Sequence, residues 1–427
     1  MLLGELFKKE IFSTAEKATV VEFIYGILRH RGRIDYIIEH ASRASLPEID
    51  LNILNILRIC TYQAVFMETS PAGIINNATA LCVDEKRFGG FVKRTVEGII
   101  RNHDKVTFPD KEKMPLEYIS IYHSHPHWIV EKWLKEFHEP GIVEALCTAN
   151  NHEPPLTIRV NPLKTKRDSL QKTLEHEGYT SSPTILSPFG LVVDKKEGIF
   201  RTDAFSNGAF EVQDEGSQLI TLLTGAKPGE FVVDACAGNG GKSLFLSGLM
   251  KAQGTVLALD THTGKLANLR RRANRSGASN IRTMIPDAAA LQELKSPADC
   301  VFIDAPCSGM GVFRRNPDSK WRLARKDIRE LSSKQKEILR EYSGLVKPGG
   351  RLVYATCTIS REENEDVVRD FLDERKDFHL IPASEMNPEI FGKFTTGEGF
   401  FRSLPHVHNT DGFFGAVMRL KDFGTMQ

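Results

Sequence analysis

The apolar positions of this chain change their period along its length. Up to residue 105 they recur three and four apart, with Val20, Val21, Phe23, Ile24, Ile27 and Leu28 in one stretch and Leu51, Leu54, Ile56, Leu57 and Ile59 in another. That spacing lines one face of a helix, so residues 1–105 are predicted to be all-helical. Pro47 opens a new segment, Ser70-Pro71-Ala72-Gly73 marks a turn before a further helix, and Gly89-Gly90 interrupts the pattern before a last helix near 91–102. Val106 to Pro115 is polar, carries two prolines and reads as a linker.

Residues 116–212 mix both periods. Ser124 to Phe137 is predicted as a helix with Pro126 in its first turn, and Asp168 to Glu177 as another, ending near Gly178. Leu156-Thr157-Ile158-Arg159-Val160 alternates as a strand does, and Leu191–Val193 and Phe210–Val212 are further strand candidates. The pattern fits a small α+β module. Over 213–427, short apolar runs alternate with helical stretches. Phe231–Val233, Thr255–Leu259, Ile281–Ile285, Cys300–Ile303 and Leu352–Tyr354 are the strand candidates, and Phe413–Leu420 adds a late one. Strand–helix alternation of this kind predicts a doubly wound, Rossmann-like α/β domain with a parallel sheet. The chain is therefore expected to be multidomain.

Composition narrows the class. The 427 residues are 41% apolar and 26% charged, as in globular proteins. No run approaches the ~18 apolar residues of a membrane span, and the first ten residues lack the features of a signal peptide. Seven scattered cysteines without a Cys-x-x-Cys pair suit neither a disulfide framework nor a zinc site, and point to a cytoplasmic protein. His123, His125 and His127 alternate without matching acidic or Cys partners, so no metal is expected. Net charge is +1, yet basic residues cluster locally. Arg270, Arg271, Arg272 and Arg275 read as a solvated helix face. Arg314, Arg315, Lys320, Arg322, Arg325, Lys326 and Arg329 begin just after Cys307 and read as a phosphate track.

Candidate chemistry gathers at strand ends. The first strand of the α/β region runs into Asp234-Ala235-Cys236-Ala237-Gly238-Asn239-Gly240-Gly241-Lys242-Ser243. Glycines there let a backbone approach a ligand, and the following helix offers free N–H groups. A phosphate loop would need glycine where Cys236 stands, and a dinucleotide fingerprint would need it where Ser243 stands. Asp234, Asp260, Asp287 and Asp304 close four successive strands. Each alone is equally well a helix N-cap. Together they favour a nucleoside without a pyrophosphate, with Asp260 offset from Gly238 as a ribose-binding carboxylate requires and Asp287 placed for an adenine amino group. S-adenosylmethionine fits. Cys307, in Asp304-Ala305-Pro306-Cys307-Ser308-Gly309, and Cys357, in Tyr354-Ala355-Thr356-Cys357-Thr358, each follow a buried-strand pattern. A thiolate there could add to an electron-poor ring carbon. Cys60, Cys82, Cys147 and Cys300 read as buried small hydrophobes, and Cys236 as a packing residue of its loop.

The Asp304–Gly309 motif with Thr356-Cys357 resembles the RNA cytosine-5 methyltransferases of the Nop/Sun group. The resemblance continues through Leu156–Asn161, Gln213-Asp214-Glu215-Gly216-Ser217-Gln218, Arg314-Arg315-Asn316-Pro317-Asp318 with Lys320-Trp321, and Asp411-Gly412-Phe413-Phe414. Tyr25-Gly26-Ile27-Leu28-Arg29-His30 resembles a NusB-like RNA-binding domain, entered partway through its first helix. This combination is most similar to bacterial enzymes that methylate a cytosine of small-subunit (16S) ribosomal RNA. The resemblance implies a SAM-dependent transfer to cytosine C5. It gives the attack on C6 to Cys357, product release to Cys307, the cytosine amino edge to Asp304 and a contact with the same ring to Lys242. The implied cofactor set is Asp234, Cys236, Ala237, Gly238, Asn239, Gly240, Gly241, Lys242, Asp260, Asp287 and Asp304. Ribosomal RNA is the implied partner, with no membrane and a monomeric chain. One departure stands in the cofactor loop, where the family's Ala-Pro-Gly-Gly-Lys has Gly238-Asn239 for Ala-Pro; Asn tolerates unusual backbone angles, so the loop is expected to hold. A non-catalytic RNA-binding or assembly factor on the same scaffold is the alternative. A DNA cytosine-5 enzyme would attack with Cys307 and carry Glu-Asn-Val where this chain has Glu363-Asn364-Glu365.

Overall fold

The computed structural model describes residues 5–7, 12–82, 87–286 and 297–422. Packing separates two compact units, 1–152 joined by 313–322, and 153–312 joined by 323–427.

The first unit is helical. Helix α1 (Thr14–Ser42) opens on a capping box in which Ser13 and Glu16 satisfy each other's backbone N–H, and it kinks at His30. Helix α2 (Leu51–Phe66) is capped by Asp50, and α3 (Pro71–Leu81) by Ser70 with Pro71 at its first position, so the predicted turn is a helix start. Helix α4 spans Gly89–Asn102. Gly89 and Gly90, expected to break the pattern, form its first turn, where N–H groups have no intrahelical acceptor to lose. Ile34, Ile38, Ile53, Leu57, Val92 and Val96 meet in the core. Beneath them Arg58 makes a bidentate pair with Asp35, Nε–Oδ1 2.7 Å and Nη2–Oδ2 2.8 Å.

Helices α5 (Pro115–Tyr122), α6 (His127–Phe137) and α7 (Pro140–Asn151) also belong to this unit. The apolar pattern misses α5 and α7, both of which start at proline. It places α6 too early, because Ser124 is left-handed (φ 55°) and Pro126 is the N-cap rather than a first-turn residue. Residues 313–322 complete the unit. Phe313 packs near Trp133 and His125, and Trp321 Nε1 donates to the Leu28 carbonyl at 2.7 Å. Lys320, expected on a phosphate track, is 1% exposed and donates to the Arg29 carbonyl at 3.0 Å and Asn151 Oδ1 at 3.1 Å. Burial, with the charge of Arg29, lowers its pKa to about 7. Arg314 is buried as well.

The second unit begins with an antiparallel sheet of β1 (Leu156–Val160), β2 (Ser181–Pro183), β3 (Gly190–Val193) and β4 (Phe210–Val212), in the order β2-β3-β1-β4, with α8 (Arg167–His176) packed on it. Strand β2 has no apolar alternation to reveal it. After α9 (Glu215–Leu222) comes an eight-stranded sheet. Its strands are β5 (Phe231–Asp234), β6 (Thr255–Leu259), β7 (Ile281–Met284), β8 (Ala298–Asp304), β9 (Val346–Thr356), β10 (Phe378–Ile381), β11 (Phe401–Ser403) and β12 (Phe413–Leu420). The order is β10-β12-β9-β8-β5-β6-β7, with β11 paired to β12. Strands β5 to β9 are parallel, and the apolar runs of β5, β6, β8 and the second half of β9 are continuous because both faces are covered. The sheet is not parallel throughout: β12 runs against β9, and β10 and β11 run against β12. Among the described residues no helix is long and apolar enough to cross a membrane.

Candidate active site

Strand order reverses at β5, which has β6 on one side and β8 on the other. Ligands of open α/β sheets bind beyond the carboxyl ends of the strands at such a point. Here the segments after β5, β6, β8 and β9 line one cavity of about 590 Å³, a size that suits a nucleoside-bearing ligand. Of the residues singled out in the sequence, Cys236, Gly238, Asp260, Asp304, Cys307 and Cys357 line it. Lys334, Glu337, Ile338, Glu341 and Tyr342 also line it, from helix α12 (Arg325–Ser343). Sequence reasoning missed them, since scattered positions on an amphipathic helix carry no motif. Asp287 lies outside the described residues.

The loop after β5 is held by its own backbone angles and by distant arginines. Gly238 (φ 56°) and Gly240 (φ 82°) take the left-handed region; Asn239, expected to use that freedom, does not. Gly240 caps α10 (Gly241–Leu249), and a Cβ there would lie 2.3 Å from Leu269 Cγ. The Gly238 N–H donates to Asp260 Oδ2 at 3.0 Å, and the His262 N–H to Asp260 Oδ1 at 2.8 Å, which orients that carboxylate at the cavity wall. Arg272, on α11 (Thr263–Ser276), donates to the Asn239 carbonyl at 2.6 Å and to Glu211 Oε2 of β4 at 2.8 Å. Arg275 pairs with the same buried Glu211. Arg272 therefore ties the small sheet to the loop, and Arg275 holds Glu211 and the Phe205 carbonyl, so neither belongs to a solvated face; Arg270 and Arg271 stay exposed. Arg159 of β1 is fully buried, donates to the Gly241 carbonyl at 2.8 Å and lies over the Phe245 ring.

Asp234 and Ala237 support the loop from beneath. Asp234 is 1% exposed and accepts from Ser243 Oγ at 2.6 Å. Burial, and secondarily the charge of Asp304, raises its pKa to about 7. Burial pushes the Cys236 thiol up to about 12. Ala237 packs in a small apolar cluster with Leu244 and Leu269.

At the other end of the cavity, parallel pairing of β8 and β9 sets Asp304 beside Ala355, so the two cysteine-bearing turns leave the sheet side by side. Cys307 Sγ and Cys357 Sγ are 3.3 Å apart. The hydrogen bond with Cys357, then burial, holds the Cys307 thiol well above its ordinary pKa, and either sulfur can be the donor between them. Lys242 Nζ lies 2.5 Å from Asp304 Oδ2. Burial works against the ammonium, but the charge and hydrogen bond of Asp304 outweigh it and raise the Lys242 pKa. The site thus joins a glycine-rich loop, an oriented carboxylate, an ammonium–carboxylate pair and two adjacent thiols.

Comparison with known proteins gives a consistent picture. The family model for 16S rRNA methyltransferase RsmB/F matches residues 221–419. The RsmF/B-like ferredoxin-like domain matches 125–199, and the NusB family matches 2–105. A probable ribosomal RNA small subunit methyltransferase B of Bacillus subtilis is 32% identical, over 99% of this chain and 94% of that protein. The ribosomal RNA small subunit methyltransferase B of Escherichia coli O6:K15:H31 is 27% identical, over 95% and 91%. Among solved structures, PH0851 superposes with a TM-score of 0.79 at 28% identity, covering 97% of this chain and 93% of that one. A methyltransferase homolog from Pyrococcus horikoshii superposes with a TM-score of 0.62 at 26% identity, over 72% and 99%.

Proposed function

Because the chain belongs to the 16S rRNA methyltransferase RsmB/F family, whose methyl donor is S-adenosylmethionine, we propose that it methylates C5 of a cytosine through a covalent bond between Cys357 and C6. The observation that carries this reading is the pair of thiols 3.3 Å apart beside the Lys242–Asp304 pair. A single nucleophile needs one thiol; a reaction that must attach a ring and later detach it has a use for two.

The bound cofactor supplies an electrophilic sulfonium methyl. Gly238 and Asp260, which line the cavity, and the N-terminus of α10 would hold it, and the NH-bound Asp260 carboxylate suits ribose hydroxyls. Cytosine C5 is a poor nucleophile until C6 is saturated. Cys357, hydrogen-bonded to Cys307, adds to C6 as the thiolate. Asp304 Oδ2 is taken by Lys242, which leaves Oδ1 to accept from the cytosine amino group, while Lys242 polarises the same ring. Once C5 carries the methyl, loss of the C5 proton to solvent would form the C5=C6 bond as the C6–S bond breaks, and Cys307 would assist by hydrogen-bonding the departing Cys357 sulfur. The base has to leave its stack to reach two strand ends, so single-stranded or looped RNA is the fitting substrate. The helical residues 1–105 and the small α+β module over 116–212 would hold flanking RNA, in a cytoplasmic, monomeric protein.

Replacing each cysteine tests the roles. Cys357→Ala should abolish both methyl transfer and the protein–RNA adduct seen on denaturing gels. Cys307→Ala should accumulate that adduct. An adduct that persists in Cys357→Ala and vanishes in Cys307→Ala would reverse the assignment. Bisulfite sequencing of small-subunit RNA with and without the gene tests the substrate, and a full set of cytosine marks in its absence would refute it. Calorimetry with S-adenosylmethionine separates catalysis from scaffolding: no binding at millimolar ligand would favour an assembly factor.

A further inference from the structure

The reaction leaves unused a buried carboxylate that reaches both cysteine turns. Glu363 lies six residues past Cys357, just ahead of α13 (Glu365–Glu374), and is 0% exposed. Its Oε1 accepts from the Ser308 N–H at 2.9 Å and from Gln335 Nε2 at 3.1 Å. Its Oε2 accepts from Ser308 Oγ at 2.5 Å and faces Thr358 Oγ1 at 3.4 Å. Ser308 follows Cys307, and Thr358 follows Cys357. Gln335 also donates to the Pro306 carbonyl at 2.9 Å, on the other side of Cys307. The two hydroxyls meet at 2.8 Å. The Glu363 carbonyl accepts from the buried Tyr354 hydroxyl at 2.6 Å, which fixes the clamp to β9. Next to it, Asn364 accepts from Thr356 Oγ1 at 2.6 Å and donates to the Thr358 carbonyl at 3.0 Å.

A buried carboxylate bound only by neutral donors is costly to keep, and the fold alone gives no reason for one here. The reaction does. C6 and C5 are adjacent ring atoms, so two thiols with separate roles must be held close together. Productive geometry tolerates about 0.5 Å.

We infer that Glu363 is a positioning residue that clamps the Cys307 and Cys357 turns together and so sets the approach of the two sulfurs. The inference rests on the cytosine-adduct reading and deepens it.

The clamp can be read without RNA. Diamide takes two electrons and two protons from the thiols; an Sγ–Sγ bond forms and the azo group becomes a hydrazine. The linked Cys307–Cys357 peptides, timed by mass spectrometry, report how readily the sulfurs meet. Glu363→Ala should slow this coupling at least tenfold while circular dichroism shows a cooperative melt. Its kcat on unmethylated 16S RNA should fall about a hundredfold, the usual cost of misplacing reacting groups by ~1 Å, with KM for RNA within threefold. Glu363→Gln, whose amide can meet the same hydroxyls and N–H groups, should recover at least tenfold of both losses. A folded Glu363→Ala protein that couples its thiols at the parent rate would overturn the proposal, as would Glu363→Gln behaving like alanine in both readouts. If Glu363→Ala does not fold, Ser308→Ala carries the test: coupling slowed threefold or more supports the clamp, and an unchanged rate overturns it. A parent protein that forms no cytosine adduct, but whose thiol coupling depends on Glu363, would sink the cytosine reading and leave the clamp standing.

Discussion

Two adjacent glycines of the cofactor loop should respond to alanine with opposite signs. Gly240 sits at φ 82°, and a Cβ there would come within 2.3 Å of Leu269 Cγ, a side chain locked in the core. The left-handed backbone costs alanine ~1 kcal/mol, and forcing a methyl into a packed site costs ~1–3 kcal/mol. Gly240→Ala should therefore destabilise the loop and the start of α10 by about 2–4 kcal/mol. Gly241 has no positive φ and no atom within 4 Å of its Cβ position. Alanine there restricts only the unfolded chain, so Gly241→Ala should be neutral or stabilising by up to ~1 kcal/mol. Hydrogen exchange read by mass spectrometry isolates this local effect, using amides such as Leu244 and Met250 that bond within the helix. Exchange should speed up ~30- to ~900-fold in Gly240→Ala and stay level or slow by up to about fivefold in Gly241→Ala. Equal acceleration in both variants, or less than about fivefold in Gly240→Ala, would mean that the loop is not held by its backbone angles.

Three more outcomes follow from buried charges. Arg272→Ala removes the donor to the Asn239 carbonyl but leaves Glu211 paired with Arg275; S-adenosylmethionine should bind about five- to tenfold more weakly by calorimetry, the worth of ~1 kcal/mol, and an unchanged Kd would count against the tie. Asp234 has a raised folded pKa of about 7. The folded protein then holds a proton that the unfolded chain releases, so this group erodes stability as pH rises from about 4 to about 7 and adds no further loss above that. Asp234→Asn should flatten that window and be the more stable protein at pH 8 by a few kcal/mol; a parallel pH profile for both proteins would refute the burial argument. In the helical unit, Arg58→Met leaves Asp35 with only Arg31, 3.5 Å away, and should cost about 3 kcal/mol in urea unfolding, the lower end for a broken buried pair.

How much of this was legible depended on whether a residue's partners lie near it in sequence. Strands β8 and β9 announce themselves because both faces are buried, and their ends carry the cysteine motifs. The strand-end acids were visible too, though Asp234 proves to hold Ser243 beneath the loop instead of facing the cavity. Arg272 and Arg275 read as solvent-facing because their partner, Glu211, is on another sheet 61 and 64 residues away. Lys320 misleads for the same reason, since its acceptors are Arg29 and Asn151. The cofactor loop was legible as a loop but not in its mechanics: the left-handed turn falls to Gly238, which replaces the family's alanine, and not to Asn239. Strands β10 and β11 are too short and too mixed in polarity to stand out.

The helical unit borrows Phe313–Arg322 from far along the chain, and this has a consequence during translation. When His152 leaves the ribosome, the acceptors for Lys320 and Trp321 have no donors yet, and the niche for Phe313 beside Trp133 is unfilled. At 5–20 residues per second, roughly 10–30 s pass before those side chains emerge. The first cysteine turn has by then already been synthesised, so the amino-terminal unit cannot mature ahead of it. A nascent chain that stalls between residues 152 and 313 lacks Phe313 and presents the apolar niche beside Trp133 to the chaperones that meet it.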